Sequence, residues 1–411
     1  MTRPVVVAQP GSHHVWRVAA ACEQAGFLAS YVTSITYFPD RFPFSLLSLL
    51  PRSFRARVTR ELSRRAQPGI APLHIRTRAL WEWLHLFANR IHAPQRLTRW
   101  FIDRRNIAVS LSAGRAATSA TAIVWSGMDS AREAFRIAHP AGAHCILDAF
   151  IGHPRRLNEV LEEECHREPR LRSVIKDWVP RTRIERMEEE AALADSIVVG
   201  SRFAGETFVA RGTPASKVVT IPYGVDTRLF VPRTEQDGPR DKARLKLLFV
   251  GNVSVRKGSH YLFEAMRTLA PEHITLTVVG TMEDRYFLEQ CGTLFKWVPF
   301  VRHTDLPLYF RDADAYVFPS LFEGSALSVY EALASGLPVV TTNESGSVVR
   351  DGTDGIIIPS RNSDAIIRAI RTLAGAPELR DRFGKNARQR AEEFTWDTYS
   401  THVVDLVRRL G

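Results

Sequence analysis

The sequence is poor in the residues that build disulfide frameworks and membrane spans. It has four cysteines, Cys22, Cys145, Cys165 and Cys291, and their spacing matches no metal motif. Reduced, structural cysteines of a cytosolic protein are therefore expected. No apolar run approaches the roughly 20 residues that a membrane-spanning helix needs. The start, MTRPVVVAQP, enters a strand directly, so we expect no signal peptide.

Acidic residues are scarce in the first quarter of the chain. Residues 1–105 contain 16 arginines and 5 acids, whereas the remainder holds 39 basic and 39 acidic residues, so the whole formal net charge of +11 lies in that quarter. The arginines alternate with apolar groups over 40–66 and 79–106. Ordinary basic helix faces would give this pattern. The alternative is a surface that docks on anionic lipid, with Phe42, Phe44, Trp81, Trp83 and Trp100 as anchors. Nucleic acid is a third choice, but no nucleic-acid motif accompanies the charge.

Strand-like apolar runs alternate with helical segments along the whole chain. The first half carries PVVVAQ (4–9), AIVWSG (122–127), HCILDAF (144–150) and SIVVGS (196–201), and the second carries KLLFVG (246–251), ITLTVVG (274–280), AYVFPS (315–320), PVVTT (338–342) and GIIIP (355–359). This alternation is typical of doubly wound parallel sheets. The 411 residues suit two α/β domains of about 200 residues each, and the polar stretch 231–246 is predicted to link them.

Two glutamates, Glu323 and Glu331, lie in the run SLFEGSALSVYEALASGLPVV (320–340). The pattern predicts a strand, a tight turn and a helix over 328–335 that stops at Gly336. The N–H groups at the helix start are a ready phosphate site, and they belong to Gly324, Ser325, Ala326 and Leu327. The two carboxylates can accept hydrogen bonds from sugar hydroxyls. The alternative is a capped surface helix with two solvated acids.

A second anion-binding pattern follows the strand LKLLFVGN (245–252). The basic pair Arg256-Lys257 and then Gly258 stand at the start of a predicted helix. A diphosphate would bind there, because the helix N-terminus supplies N–H groups, lysine a point charge and arginine a planar fork. A solvated surface pair is the alternative.

A third element, VVTIPYGVDTRLF (218–230), ends a strand in a turn where the backbone can approach a ligand. In chain order, IPYGVDTRLF, FVGN…RKG and FEG(x)₆EALASGLPVV resemble the family 4 glycosyltransferases of the GT-B fold. The resemblance covers residues 185–400 well and the N-terminal third only loosely.

The resemblance implies an α/β fold of two Rossmann-like doubly wound domains facing a central cleft. It implies an acceptor-binding domain at 1–222, a nucleotide-sugar-binding domain at 223–395, and a last helix at 396–411 that crosses back to the first domain. The implied activity is retaining transfer of a sugar from a UDP- or GDP-sugar to a glycan or lipid-linked acceptor, without a metal or other cofactor.

The resemblance also assigns residues. Glu323 would hold hydroxyls of the transferred sugar, Glu331 the ribose diol, and the backbone near 300–303 would read the base. The implied catalytic residues are Arg256, Lys257, Glu323 and His153. The implied donor-binding residues are Gly251, Asn252, Gly258, Val301, Arg302, Gly324, Ser325, Ala326, Leu327 and Glu331. Many family members carry an arginine where Asn252 stands, and Arg256 is expected to substitute for it.

The N-terminal domain offers fewer candidates. Asp148 and His153 follow the end of a predicted strand, the usual ligand edge of an α/β sheet. A subset of the family has an acid and then a histidine here, which implies that His153 contacts the donor sugar near the reacting carbon. A loop cap is the alternative role for His153. Family members often have a Gly-rich loop after the first strand, whereas this chain has Gly11 alone.

Asp312 and Asp314 mimic the metal-binding Asp-x-Asp of other glycosyltransferases, but family 4 members usually carry a structural aspartate before this strand. Two other classes stay open: a catalytically silent nucleotide-sugar binder, and a GT-B phosphorylase or epimerase. A phosphorylase would need a pyridoxal-binding lysine, for which the sequence offers no candidate. The Arg- and Ala-rich composition suggests bacterial cell-surface polysaccharide or glycolipid assembly, in the cytoplasm or on the inner face of the membrane.

Overall fold

The computed structural model describes residues 3–11, 14–39, 44–49, 51, 55, 58–59, 62, 65, 67–117, 122–234, 237–238 and 244–410. The predicted membrane anchor Phe42 lies outside these residues.

Seven strands form the first sheet: β1 (Val5–Ala8), β2 (Leu28–Thr33), β3 (Ile75–Thr77), β4 (Ile123–Gly127), β5 (His144–Ala149), β6 (Ser196–Val199) and β7 (Val218–Thr220). Their order is β3-β2-β1-β4-β5-β6-β7. The central strand β1 pairs in parallel with β2 and β4. All four of its residues are buried, as expected for a parallel strand that is covered on both faces.

The helices of this part of the chain are α1 (Val15–Gln24), α2 (Leu80–Arg90), α3 (Gln95–Ala116), α4 (Arg132–Ala138), α5 (Pro154–Arg167), α6 (Leu171–Val174), α7 (Arg181–Leu193) and α8 (Arg202–Val209). Local sequence sets several of their starts. Pro154 occupies the first turn of α5, where a missing N–H costs nothing. The Ser201 side chain caps α8 by accepting a hydrogen bond from the Ala204 N–H.

Six parallel strands form the second sheet: β8 (Leu245–Val250), β9 (Ile274–Val279), β10 (Lys296–Val298), β11 (Ala315–Phe318), β12 (Val339–Thr341) and β13 (Gly355–Ile357). Their order is β10-β9-β8-β11-β12-β13. The accompanying helices are α9 (Ser259–Leu269), α10 (Arg285–Cys291), α11 (Leu306–Asp312), α12 (Leu327–Ala334), α13 (Ser363–Gly375), α14 (Pro377–Glu393) and α15 (Trp396–Leu410). The predicted doubly wound α/β fold is confirmed.

The strand order reverses between β8 and β11, which places two loops at a topological switch point. Ligands of open α/β sheets bind outside the carboxyl ends of the strands at such a point. The loop 251–258 follows β8, and the loop 319–326 follows β11. They approach so closely that a Cβ atom on Gly258 would lie 2.0 Å from the Pro319 carbonyl oxygen. Gly258 also has φ +65°, so glycine is favoured there twice over.

The predictions of single strands were incomplete. β2, β3 and β10 were missed because β3 and β10 are three-residue strands and β2 mixes polar with apolar residues. The predicted linker 231–246 was too long, because β8 already begins at Leu245.

Close contacts divide the chain into two compact units. Unit 1 comprises residues 1–149, 185–198 and 400–411, and unit 2 comprises 150–184 and 199–399. No described helix combines the length and the hydrophobicity that crossing a lipid bilayer requires.

Candidate functional site

Backbone contacts in unit 2 join the two loops at the switch point. The Leu321 N–H donates a hydrogen bond to the Arg256 carbonyl at 2.8 Å, and the Ser320 hydroxyl donates to the same oxygen at 3.2 Å. The Arg256 side chain also donates a hydrogen bond to the Phe322 carbonyl of the second loop at 2.9 Å. The loops therefore hold each other in place, and the side chains that they carry share one site.

A compact charge cluster occupies this site. Nη1 of Arg256 lies 2.9 Å from Oε1 of Glu323, and Nζ of Lys257 lies 3.4 Å from the same oxygen. Nε of Arg256 contacts Oδ2 of Asp177 at 3.1 Å. The Lys257 ammonium also stands 5.0 Å from the centre of the Phe318 ring, within cation–π range. The structure thus brings together three of the four predicted catalytic residues.

The charges in this cluster support one another. Burial acts to raise the pKa of Glu323, but Arg256 and Lys257 outweigh it and hold that pKa below its ordinary value. Burial acts to lower the pKa of Arg256, but Glu323 and Asp177 outweigh it and raise that pKa. Both side chains therefore stay ionised at neutral pH, and two cations face one position.

The amides at the start of α12 are only partly available. The Ala326 N–H, predicted to be free, donates to the Ser345 carbonyl at 3.1 Å, because the segment after β12 packs against this turn. Among the described residues, the N–H groups of Gly324, Ser325 and Leu327 donate to no protein acceptor. Three of the four predicted amides therefore have no acceptor among the described residues.

Glu331 projects from α12 beside the segment that was predicted to read the base. Its Oε1 lies 2.8 Å from Nε2 of His303, the last residue of that segment, whose side chain was given no role from the sequence. The neighbouring Arg302 is exposed and pairs with Asp305 at 2.7 Å, while Val301 is half-buried. The structure therefore brings Glu331 and the end of this segment together.

Asn252 occupies the position where an arginine was expected. Its side-chain amide donates to Oε1 of Glu283 at 2.6 Å and accepts from the Thr281 hydroxyl at 2.9 Å. Burial, followed by the nearby Asp177, raises the pKa of Glu283 to about 7, while Arg256 acts to lower it. Glu283 and Asp177 were both missed, because their spacing from the basic pair forms no motif.

His153 caps α5. Its Nδ1 accepts a hydrogen bond from the Arg155 N–H at 3.3 Å, and its own backbone N–H donates to the Thr207 hydroxyl at 2.8 Å. The ring packs edge-on against Phe208. A Cβ atom on the preceding Gly152 would lie 2.6 Å from the Phe322 ring, so this loop packs beside the charge cluster. The capping role is observed, and contact with the donor sugar stays a prediction.

Unit 1 carries the remaining predicted residues. Asp148 is buried at the end of β5, where its Oδ1 lies 3.0 Å from Nε2 of His14 and its Oδ2 accepts from the Trp125 indole N–H at 2.9 Å. Both carboxylate oxygens are therefore engaged within the protein. Gly11 lies in a bend after β1.

The predicted Asp-x-Asp pair is tied to β8. The Asp312 carboxylate contacts the Lys246 ammonium at 2.7 Å, and Oδ2 of Asp314 accepts from the Lys246 N–H at 2.9 Å. Both aspartates therefore attach the segment before β11 to Lys246 of β8, as a structural aspartate would. A separate polar cavity of about 370 Å³ lies among α5, α9 and α10, and none of the predicted site residues lines it.

The sequence matches one family and several curated proteins. Residues 231–390 match the family described as glycosyl transferases group 1. The chain is 29% identical over 243 residues to spore coat protein SA of Bacillus subtilis, covering 52% of this chain and 64% of that protein. It is 30% identical over 247 residues to the D-inositol 3-phosphate glycosyltransferase of Geodermatophilus obscurus, covering 53% of each. The chain thus spans between about half and two thirds of the length of these relatives.

Solved structures share the fold over the whole chain. Sucrose-phosphate synthase from Thermosynechococcus elongatus matches with a TM-score of 0.64 at 17% identity, covering 99% of each chain. Anabaena HepE in complex with UDP matches with a TM-score of 0.61 at 13% identity, covering 100% of each chain. At these identities the likeness shows the fold alone. The predicted resemblance to glycosyltransferases is confirmed, while membership of family 4 and the residue roles stay predictions.

Proposed function

Because residues 231–390 match the family described as glycosyl transferases group 1, we propose that this chain is a retaining, family 4 hexosyltransferase. It moves a sugar from a nucleotide-diphosphate-sugar to a hydroxyl of a glycan or lipid-linked acceptor. The observation that carries this proposal is the convergence of Arg256 and Lys257 on Glu323 at the carboxyl ends of β8 and β11.

The two cations suit the leaving group. When the bond from the anomeric carbon to the phosphate oxygen breaks, negative charge develops on the diphosphate. Arg256, Lys257 and the amides of Gly324, Ser325 and Leu327, which have no acceptor among the described residues, would stabilise that charge where it appears. The proposed site needs no metal, because fixed cations supply the compensating charge. Glu323 orients the cations and accepts from hydroxyls of the transferred sugar.

The acceptor oxygen attacks on the face that the phosphate leaves, so the anomeric configuration is retained. A bond forms between the acceptor oxygen and the anomeric carbon, the bond to the phosphate breaks, and the acceptor proton passes to the leaving phosphate. The products are a glycoside and a nucleoside diphosphate. His153, at the start of α5 beside this cluster, is proposed to contact the sugar near the reacting carbon.

The donor is proposed to be a UDP- or GDP-sugar. Anabaena HepE, which shares the fold, is a complex with UDP, and this supports a nucleotide donor. Residues 223–395 are proposed to bind the donor and 1–222 the acceptor, with 396–411 crossing back. Glu331 would hold the ribose diol and the backbone near 300–303 the base. Asn252 donates a hydrogen bond to Glu283. Arg256 is proposed to replace the arginine that many family members carry at position 252.

The proposed setting is cell-surface polysaccharide or glycolipid synthesis in the bacterial cytoplasm. A relative named spore coat protein SA supports a cell-surface product. Four free, buried cysteines within the described residues support a reducing compartment.

Nucleotide release tests the activity. The purified chain is incubated with UDP- and GDP-sugars and a lipid or glycan acceptor extract, and free nucleoside diphosphate is measured. Acceptor-dependent release of one nucleotide, with a product of unchanged anomeric configuration, is expected. Binding of a nucleotide-sugar without release of nucleoside diphosphate, whichever acceptor is added, would favour the catalytically silent binder. Sugar release that depends on orthophosphate would favour a phosphorylase.

A further inference from the structure

Helix α2 in unit 1 presents apolar side chains to solvent. Leu80, Trp83, Phe87 and Ile91 are 64%, 41%, 62% and 58% exposed. At about 100° per residue they fall within an arc of roughly 80°, so they form one stripe along about 16 Å of helix. Exposed apolar side chains scattered singly are ordinary, but an aligned stripe marks a surface that meets an apolar partner.

On the side of α2 away from this stripe, a buried carboxylate forms two ion pairs. Glu82 is buried, with Oε1 2.9 Å from Arg65 and Oε2 2.8 Å from Arg105 of helix α3. Burial acts to raise the pKa of Glu82, but Arg105 and Arg65 outweigh it and lower that pKa. A helix on a water-facing surface buries its apolar residues and exposes its charges. The buried Glu82 departs from this pattern, and its two ion pairs hold that side of α2 against Arg65 and Arg105.

The start of α3 extends the apolar surface. Leu97 and Trp100 are 42% and 43% exposed. The Trp81 ring packs edge-on against Trp100 with centroids 5.4 Å apart, which joins the two helices at this end. The Arg104 guanidinium stands 5.1 Å from the Trp100 ring centre.

A basic rim surrounds this surface. Exposed arginines precede α2, end it and begin α3, namely Arg76, Arg78, Arg90, Arg96 and Arg99. Between residues 67 and 102 the sequence holds a single acid, Glu82, which is buried. The exposed Asp103 lies at the edge of this surface, between Trp100 and Arg104 on α3. A surface of exposed Leu, Ile, Phe and Trp on which arginines outnumber exposed acids complements both layers of an anionic membrane interface.

We propose that the α2–α3 surface, defined by Leu80, Trp83, Phe87, Ile91, Leu97 and Trp100 with its arginine rim, docks the protein on an anionic lipid bilayer. The apolar stripe enters the boundary between headgroups and acyl chains, and the arginines bind phosphate headgroups. A second protein would not require a predominantly positive rim, whereas a bilayer rich in anionic headgroups favours one. This inference goes beyond glycosyl transfer and does not depend on it.

Vesicle flotation of the full chain tests the surface. The probes are vesicles of phosphatidylglycerol with phosphatidylcholine, and vesicles of phosphatidylcholine alone. The W83S/F87S variant is expected to lower the partition coefficient on the anionic vesicles at least tenfold. The R96E/R99E variant is expected to lower it by at least about fivefold per arginine on anionic vesicles only.

The matched control is V209S/L308S, which replaces two exposed apolar residues of unit 2 by serine. It is expected to float as the wild type does. Equal flotation of W83S/F87S and wild type would overturn the proposal. So would a wild-type dimer, seen by sedimentation, that W83S/F87S dissociates without any vesicle binding by the wild type. Nucleotide-sugar binding, measured in parallel, should be unchanged in every variant, so that failure of the lipid surface and failure of the proposed activity are separate results.

Discussion

The Nη1 atom of Arg256 lies 2.9 Å from the Oε1 atom of Glu323, although the two residues follow different strands of the second sheet. Arg256 lies in the loop after β8 and Glu323 in the loop after β11. Their pairing across the switch point keeps a buried guanidinium charged and aims it, together with Lys257, at the edge where α/β sheets bind ligands.

Lys257→Ala is expected to lower transfer turnover roughly 10²- to 10³-fold, the scale of losing one preorganised group that stabilises charge in the transition state. Steady-state kinetics of nucleotide release measure it. Lys246→Ala is the matched control, because Lys246 is an exposed lysine paired with Asp312. Turnover of Lys257→Ala near that of the control would remove Lys257 from the phosphate site.

Glu331→Ala is expected to act on donor affinity, because a ribose diol is bound in the ground state and in the transition state alike. Loss of hydrogen bonds to a charged acceptor predicts a Kd for the donor raised roughly 10- to 100-fold. Titration calorimetry with the donor measures it, and turnover at saturation should change little. A large fall in turnover with unchanged Kd would place Glu331 elsewhere in the mechanism.

Glu164→Gln is expected to destabilise the fold. Glu164 is buried on α5 and accepts from the His260 ring at 3.0 Å and the Tyr261 hydroxyl at 2.8 Å, and Arg361 pairs with its other oxygen. Burial acts to raise its pKa, but these partners lower it to about 2. Removing the charge should lower the free energy of unfolding by roughly 3 kcal/mol at pH 7.

This stabilisation has a defined pH window. Because the folded pKa lies below the unfolded one, the contribution of Glu164 is present above about pH 4.5 and disappears as pH falls toward 2. Urea titrations of wild type and variant at several pH values test this convergence. Glu162→Gln, a neighbour in an exposed ion pair, should lose less than about 1 kcal/mol. A gap that is equal at pH 7 and pH 3 would refute the pairing account.

Glu283→Gln is expected to change the pH dependence of stability in the direction opposite to that of Glu164→Gln. The pKa of Glu283 is raised to about 7, so the folded state binds this proton more tightly than the unfolded state between about pH 4.5 and 7. The wild type should therefore lose stability as pH rises through this range. The melting temperature of the variant should rise relative to wild type from pH 5 to pH 8. A constant difference would mean that Glu283 titrates normally.

Local sequence was sufficient to predict the elements that carry the site. The predicted helix over 328–335 is α12, Leu327–Ala334, and it stops before Gly336, which has φ +68°. The apolar runs before the two loops are β8 and β11. Strand hydrophobicity, glycine at left-handed φ and helix stops are all properties of neighbouring residues, so a single sequence reveals them.

Contacts between distant segments could not be predicted in this way. Asp177 pairs with Arg256, which lies 79 positions later in the sequence, and the Ser345 carbonyl accepts a hydrogen bond from the Ala326 N–H. Such pairings depend on how strands and helices pack in three dimensions, which neither spacing nor periodicity encodes. His14 was given no role from the sequence, whereas it contacts the buried carboxylate of Asp148.

The measurement that tests the central claim most directly is a thermal-shift titration of the wild-type chain with UDP-, GDP-, ADP- and TDP-sugars in a metal chelator. A ligand at 100 times its Kd adds about 2.7 kcal/mol to the free energy of unfolding, which moves a melting temperature clearly. The account predicts a clear shift with one nucleotide class, unaffected by the chelator. No shift with any nucleotide-sugar would contradict the assignment of Arg256, Lys257 and Glu323 to a donor site.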